Sequence, residues 1–139
     1  MKVLFDTDVT LDLLLDREPH SENAAILFSK SERGELSGYL CATTITTIHY
    51  LASKALGSKK ARDSIRKLLS FLEVAAVDRA VVTSALEAKL RDFEDGVIAE
   101  SARLAETNAI ITRNIRDYRG STIPVYTPGE FLKMLKAGI

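Results

Sequence analysis

With 19 basic and 19 acidic side chains among 139 residues, the chain carries no formal net charge, and 46% of its residues are hydrophobic. That balance excludes a field drawing polyanions or membranes to the whole molecule, so any such contact must come from a local patch. A single cysteine excludes an internal disulfide and a cysteine-cluster metal site, and no apolar run approaches the roughly 18–20 residues of a spanning helix. With no basic leader followed by an apolar stretch, the expectation is one cytoplasmic domain, residues 1–139, with no membrane contact.

Val3, Leu4 and Phe5 form a short, β-prone apolar run, as in a strand covered on both faces, and Asp6 marks its C-terminal end. Val9 to Leu15 reads as a helix, broken at Pro19. Ser21 to Arg33 is a second helix, with Ala24, Ala25, Leu27 and Phe28 at helical spacing and Gly34 as its stop. GYLCAT, residues 38–43, is the second strand, and within it Cys41 reads as a small buried hydrophobe. ITTIHYLASKAL and SKKARDSIRKLLSFL make two helices hinged at Gly57. VAAV is a short third strand, Asp78 caps a helix running to Leu90, and Phe93 to Glu106 is another helix. AIIT and PVYT supply the fourth and fifth strands. The last helix has Thr127 as cap, Pro128 at its first position, Glu130 completing a capping box and Gly138 past its end. Strands separated by helices pair in parallel through right-handed crossovers. The expected fold is therefore an α/β, three-layer α/β/α sandwich around a mostly parallel sheet of about five strands.

In such sheets the residues just after the strands meet at one edge, whatever their separation in sequence. Asp6 follows the first strand, and TRNIRD places Thr112, Asn114 and Asp117 after the fourth. Asp95 lies one turn before Ile98, Ala99 and Ala102, on the border of its helix's apolar stripe. Carboxylates brought together raise one another's pKa unless a cation sits between them. Oxygen donors that leave water on the metal suit Mg²⁺ or Mn²⁺, ions that assist phosphodiester hydrolysis. With only His20 and His49 available, a zinc site or a Ser-His-Asp triad is hard to assemble. Asp92 reads as a cap, and Asp12 and Asp16 as solvated acids. Asp8 has the position of a cap for VTLDLLL.

These segments resemble a known family. A strand ending DTDV, the helix DFED followed by small residues, and AIITRNIRDY with IPVYTPGEFL are similar, in that order and spacing, to the PIN-domain ribonucleases. The small bacterial VapC-like branch is the nearest in kind, and the resemblance runs from Lys2 to about Leu132. It implies a metal-dependent endoribonuclease with Mg²⁺ or Mn²⁺ held at the sheet edge, often a homodimer neutralised by an antitoxin protein. Position by position, Asp6 matches the first family acid and Asp95 the third. The fourth falls on Asn114 or Asp117, of which Asp117 keeps the charge. The second, a glutamate, is replaced by Thr47, and Asp8 stands where the family usually carries asparagine. The resemblance thus implies Asp6, Asp95 and Asp117 as metal ligands and Asn114 as a further catalytic residue. Asp8, Thr47 and Thr112 are auxiliary, and Arg113 and Arg116 contact RNA phosphates, positioning RNA without choosing its sequence. Arg119 and Arg17 lie near that group, whereas Lys59, Lys60, Arg62, Arg66 and Lys67 read as a solvated helix face.

Two other readings compete. FDTDVTL also fits D-x-D-x-T, the opening motif of haloacid-dehalogenase-like phosphatases, with Asp6 as nucleophile and Asp8 as general acid. That resemblance requires a lysine and a later acidic pair just after strands, where this chain has Arg113, Asn114 and Arg116, and it usually has glycine in place of Val9. The loss of the glutamate at Thr47 motivates the other reading, a PIN-fold interaction module without catalysis.

Overall fold

Residues 1–138 are described by the computed structural model, and the architecture grows outward from the first strand. β1 (Lys2–Phe5), β2 (Ser37–Cys41), β3 (Glu73–Ala75), β4 (Ala109–Ile111) and β5 (Val125–Tyr126) form one sheet in the order β3-β2-β1-β4-β5. All the pairings are parallel, and Leu4 of β1 lies opposite Tyr39 on one side and Ile110 on the other. Around it run α1 (Thr7–Leu14), α2 (Ser21–Glu32), α3 (Ala42–Leu56), α4 (Ser58–Leu69), α5 (Arg79–Glu87), α6 (Phe93–Leu104) and α7 (Pro128–Lys136). A single 3₁₀ turn, Ile115–Tyr118, follows β4.

Side chains alternate across a strand, and β1 uses both directions for core. Val3 and Phe5 pack with Ala24, Leu27, Phe28, Leu68 and Phe131 on one face, where the Phe5 and Phe28 rings stack 4.2 Å apart. Leu4 points the other way, among Ile98, Ala102, Ile110 and Tyr118. All three of these β1 side chains are fully buried, which is why the run could be uninterruptedly apolar. The result is the expected sandwich, with α6 and the 3₁₀ turn on one face and α1, α2, α4 and α7 contributing to the other. At Gly38 the backbone leaves no room for a side chain: a Cβ there would come within 2.5 Å of Leu72 and 2.9 Å of Phe5.

Several boundaries differ from the sequence expectation. Helix α1 opens two residues early because Asp6 caps it. The strand expected through Thr43 stops at Cys41; Ala42 and Thr43 already belong to α3, and the Thr44 hydroxyl donates back to the Cys41 carbonyl at 2.8 Å. α5 ends at Glu87, short of Leu90, because Ala88 turns extended and the chain must reverse to reach Asp92, the cap of α6. The final capping box is complete, with bonds of 2.9 and 3.1 Å. Among the described residues no helix is long and apolar enough to cross a membrane.

The strand order carries the functional geometry. The chain moves outward from β1 to β2 and β3, then returns to the other side of β1 for β4 and β5. At such a reversal the crossovers diverge to opposite faces and leave a crevice beyond the strands' carboxyl ends. Here that crevice lies past Phe5 and Ile111.

Candidate active site

Asp6 is the first residue beyond β1, and both backbone and side-chain donors, local and distant, hold it. Its N–H donates to the Ile111 carbonyl at 2.9 Å, tying it to β4. One carboxylate oxygen, Oδ1, accepts the Thr7 N–H at 2.8 Å as the cap of α1. The other, Oδ2, accepts the Thr112 hydroxyl at 2.9 Å and the Tyr118 hydroxyl at 3.0 Å. Burial is the main reason its pKa is pushed up to about 6, with the neighbouring Asp8 charge adding and the three donors opposing.

Asp8 stands in the first turn of α1 rather than at its cap. Its Oδ1 accepts the Val9 N–H at 2.7 Å, and its Oδ2 accepts the Arg113 N–H at 3.0 Å and the Asn114 side-chain amide at 3.2 Å. Thr112 also lies 3.4 Å from that oxygen, but a hydroxyl has one proton, and the shorter bond to Asp6 takes it. Burial raises the Asp8 pKa, and the N–H donors of Arg113 and Val9 work against that rise.

Asp95 reaches the same crevice from α6. It sits three residues past Asp92, whose carboxylate accepts its N–H at 3.1 Å as a cap. Its pKa is pushed up to about 7, first by burial and then by the negative charges of Asp92, Asp6, Asp117 and Glu94. Asp117 is exposed on the 3₁₀ turn. Together Asp6, Asp8, Asp95, Asp117, Asn114 and Thr47 line one cavity of about 390 Å³. Thr47 thus stands in the wall facing the carboxylates. Thr112 lies behind it, fully buried, as the bracket between the turn and Asp6.

The family model described as PIN domain matches residues 2–116. The chain belongs to the PIN-domain family. Solved structures show the same fold. VapBC2 from Rickettsia felis bound to a DNA fragment of its promoter is 15% identical, with TM-score 0.69 and coverage of 91% of this chain and 98% of that one. A toxin-antitoxin complex from Klebsiella pneumoniae is 24% identical, with TM-score 0.69 and coverage of 91% and 97%. Mycobacterium tuberculosis VapC20, a sarcin-ricin loop cleaving toxin, is 13% identical, with TM-score 0.62 and coverage of 78% and 86%. No curated protein matches in sequence.

One part of this PIN domain departs from the sequence expectation. Asp12, read as solvated, is 1% exposed. It is buried because two arginines close on it: Arg113 Nε and Nη2 donate to its two oxygens at 2.7 and 3.1 Å, and Arg17 Nε donates at 2.8 Å. Arg113, expected on an RNA phosphate, has its guanidinium Nε and Nη2 committed to Asp12, while its backbone N–H donates to Asp8 and the residue lines the crevice. Arg17 adds a bond to the Asp8 carbonyl at 3.1 Å. Asp8 and Asp12 are four residues apart, so they share a face of α1, and that spacing beside the arginine-rich turn was the available signal. Tyr118 was not singled out from sequence. It is buried through the 3₁₀ turn, a local geometry with no periodicity to read.

Proposed function

We propose that this PIN domain is a divalent-metal-dependent endoribonuclease and the toxin of a type II toxin-antitoxin pair, working as a homodimer that an antitoxin protein neutralises. The observation that carries the reading is the convergence of Asp6, Asp95 and Asp117, with Asp8 beside them, on one cavity at the strand-order reversal. The likeness in fold to toxin-antitoxin complexes and to a sarcin-ricin loop cleaving toxin supports the substrate and the partner.

The donor set fits a hard cation. It consists of carboxylate oxygens without nitrogen or sulfur, as Mg²⁺ or Mn²⁺ prefer, and the charges that lift Asp95 are those a cation between the groups would offset. Among the described residues no three such side chains are grouped so as to hold a metal ion already, so Asp6, Asp95 and Asp117 would have to close on an ion to hold it, with water or phosphate oxygens completing its shell. Such an ion supplies charge neutralisation at the phosphate and a more acidic bound water. The remaining work belongs to the chain. Thr7, Thr112 and Tyr118 fix Asp6, the Asp92 cap sets the turn that aims Asp95, and Asp8 orients Asn114 toward the opening. Arg116, exposed on the 3₁₀ turn, meets the substrate phosphate. Asp8 restores the negative charge that Thr47 does not supply.

Thr47 also favours a second reading, a PIN-fold module that binds a partner without catalysis. Mn²⁺-dependent cleavage of a mixed RNA pool, run beside a small-molecule phosphatase assay, separates the readings. Wild type should cleave RNA and Asp95→Asn should fall to background. Cleavage unchanged in Asp95→Asn would overturn the assigned site, and phosphatase turnover would instead favour an Asp6 nucleophile. Failure of wild type both to cleave and to gain thermal stability with Mn²⁺ would favour the interaction module.

A further inference from the structure

The carboxylate cavity shares part of its lining with a basic one. A second cavity, about 730 Å³, is lined by Lys89, Arg91, Arg116 and Arg119 and shares Asp92, Asp95 and Asp117 with the first. Its four cations are brought together by two short segments. The link between α5 and α6 carries Lys89 and Arg91, and the 3₁₀ turn with its next residue carries Arg116 and Arg119. Gly120, at φ +95°, lets the two segments touch: a Cβ there would meet the Lys89 carbonyl oxygen at 3.3 Å.

The cations on the two sides of the carboxylates are in opposite states. Arg17 and Arg113 on the α1 side are tied to buried Asp12. Lys89, Arg91, Arg116 and Arg119 are all exposed, and among the described residues no carboxylate pairs with any of them within 4.0 Å. The chain has no net charge, so this patch is a local feature and not the expression of a generally basic surface. Next in sequence to Asp92, which lines the cavity, Phe93 opens α6 and leaves 51% of its surface in water. An exposed aromatic next to a basic concavity is the pairing used to hold unpaired bases and their backbone. A cavity of about 730 Å³ has room for a nucleotide or two of a flexible strand but not for a duplex.

We propose that the Lys89–Arg91–Arg116–Arg119 cavity is a one-sided track for the phosphates of a single-stranded nucleic acid leaving the carboxylate site, with Phe93 as its base-stacking platform. The proposal builds on the phosphodiester-cleaving reading of that site for its orientation, but the binding it describes can be measured without cleavage.

The test is fluorescence anisotropy of labelled 12-residue single-stranded RNA, single-stranded DNA and duplex RNA with the whole protein in EDTA, across a salt series. Four phosphate contacts on a single strand give a log–log salt slope of about −2.8. Lys89→Gln, Arg91→Gln and Arg119→Gln should each make that slope shallower by about 0.7, while Lys59→Gln and Lys60→Gln on α4 should leave it unchanged. Phe93→Leu, which keeps an apolar side chain, should weaken single-strand binding about five-fold or more, and Phe93→Tyr should restore it. A preference for RNA over DNA assigns a role to the 2′-hydroxyl, and equal binding assigns the track to the shared backbone; either is consistent with the track. Duplex binding as tight as single-strand binding, equal losses in the α4 controls, or full binding by Phe93→Leu would overturn it. Competition by polyglutamate as effective as by RNA would assign the patch to an acidic protein partner instead. Binding that follows this pattern with no Mn²⁺-dependent cleavage would sink the nuclease reading and leave the track standing. Cleavage with binding indifferent to these residues would do the reverse.

Discussion

Replacing Asp95 with asparagine should make the metal-free protein more stable at pH 8 and hardly change it at pH 4.5. The folded-state pKa of Asp95 is about 7 against an ordinary 3.8, so folding disfavours its charged form. A carboxyl raised in this way is harmless below about pH 3, where it is largely protonated in both states. Its cost grows as pH rises and is complete above about 7. Three pKa units correspond to about 4 kcal/mol without screening, but Asp95 is only half-buried, and solvent screening brings this to about 1–2 kcal/mol. The carboxylate also sits in the first turn of α6, where the helix dipole returns about 0.3–1 kcal/mol. The net gain from Asp95→Asn at pH 8 is then roughly 1 kcal/mol, or about 3–4 °C for a domain of this size. Thermal denaturation in EDTA at the two pH values measures it. A gain of equal size at both, or a loss at pH 8, would refute the repulsion argument. Saturating Mn²⁺ should invert the ranking, since an ion at 100 times its Kd adds about 2.7 kcal/mol to wild type and little to Asp95→Asn.

Wild type itself should be more stable near pH 5 than pH 8 without metal, because Asp6, with a pKa of about 6, carries a penalty of the same sign; a flat profile in EDTA would count against both shifts. Asp12→Asn should destabilise by about 2–3 kcal/mol in urea denaturation, at or just below the roughly 3–5 kcal/mol of a fully buried pair, because its arginines remain 32% and 39% exposed. Tyr118→Phe keeps the ring and removes one donor to Asp6, for an expected loss of about 1 kcal/mol together with weaker Mn²⁺ binding by calorimetry. Thr47→Glu should tighten Mn²⁺ binding in the same calorimeter while lowering metal-free stability at pH 8, since it adds a carboxylate to the cavity wall.

Sheet, crossovers and the last helix were legible in the sequence because each rests on a local rule. Val3–Phe5 is apolar throughout, the helices have caps and breakers, and Thr127, Pro128 and Glu130 form the capping box that the sequence announces. The edge at which Asp6 and TRNIRD meet follows from parallel pairing alone. What local rules could not supply was pairing across 101 to 112 residues. Asp12 looks like any acid on a helix until Arg113 is folded against it, and an arginine in a turn looks free until that carboxylate claims it. Tyr118 carries no sign of its role because a hydroxyl aimed at Asp6 is a matter of where a 3₁₀ turn lands. The cap of α1 fell on Asp6 rather than Asp8 for a related reason: one residue serves two ends, holding the helix start and facing the crevice.

The Asp6 contacts with Thr112 and Tyr118 span 106 and 112 residues, and Asp95 enters from α6, which precedes both partners in the chain. A nascent chain emerging from the ribosome therefore holds its first carboxylate early and its last brackets late. Until the segment around residues 112–118 has cleared the exit tunnel, β1 lacks its β4 neighbour and the crevice has only one wall. Whatever chemistry this edge performs therefore needs the chain through residue 118, and a product of interrupted synthesis that stops short of it would lack both hydroxyls that hold Asp6.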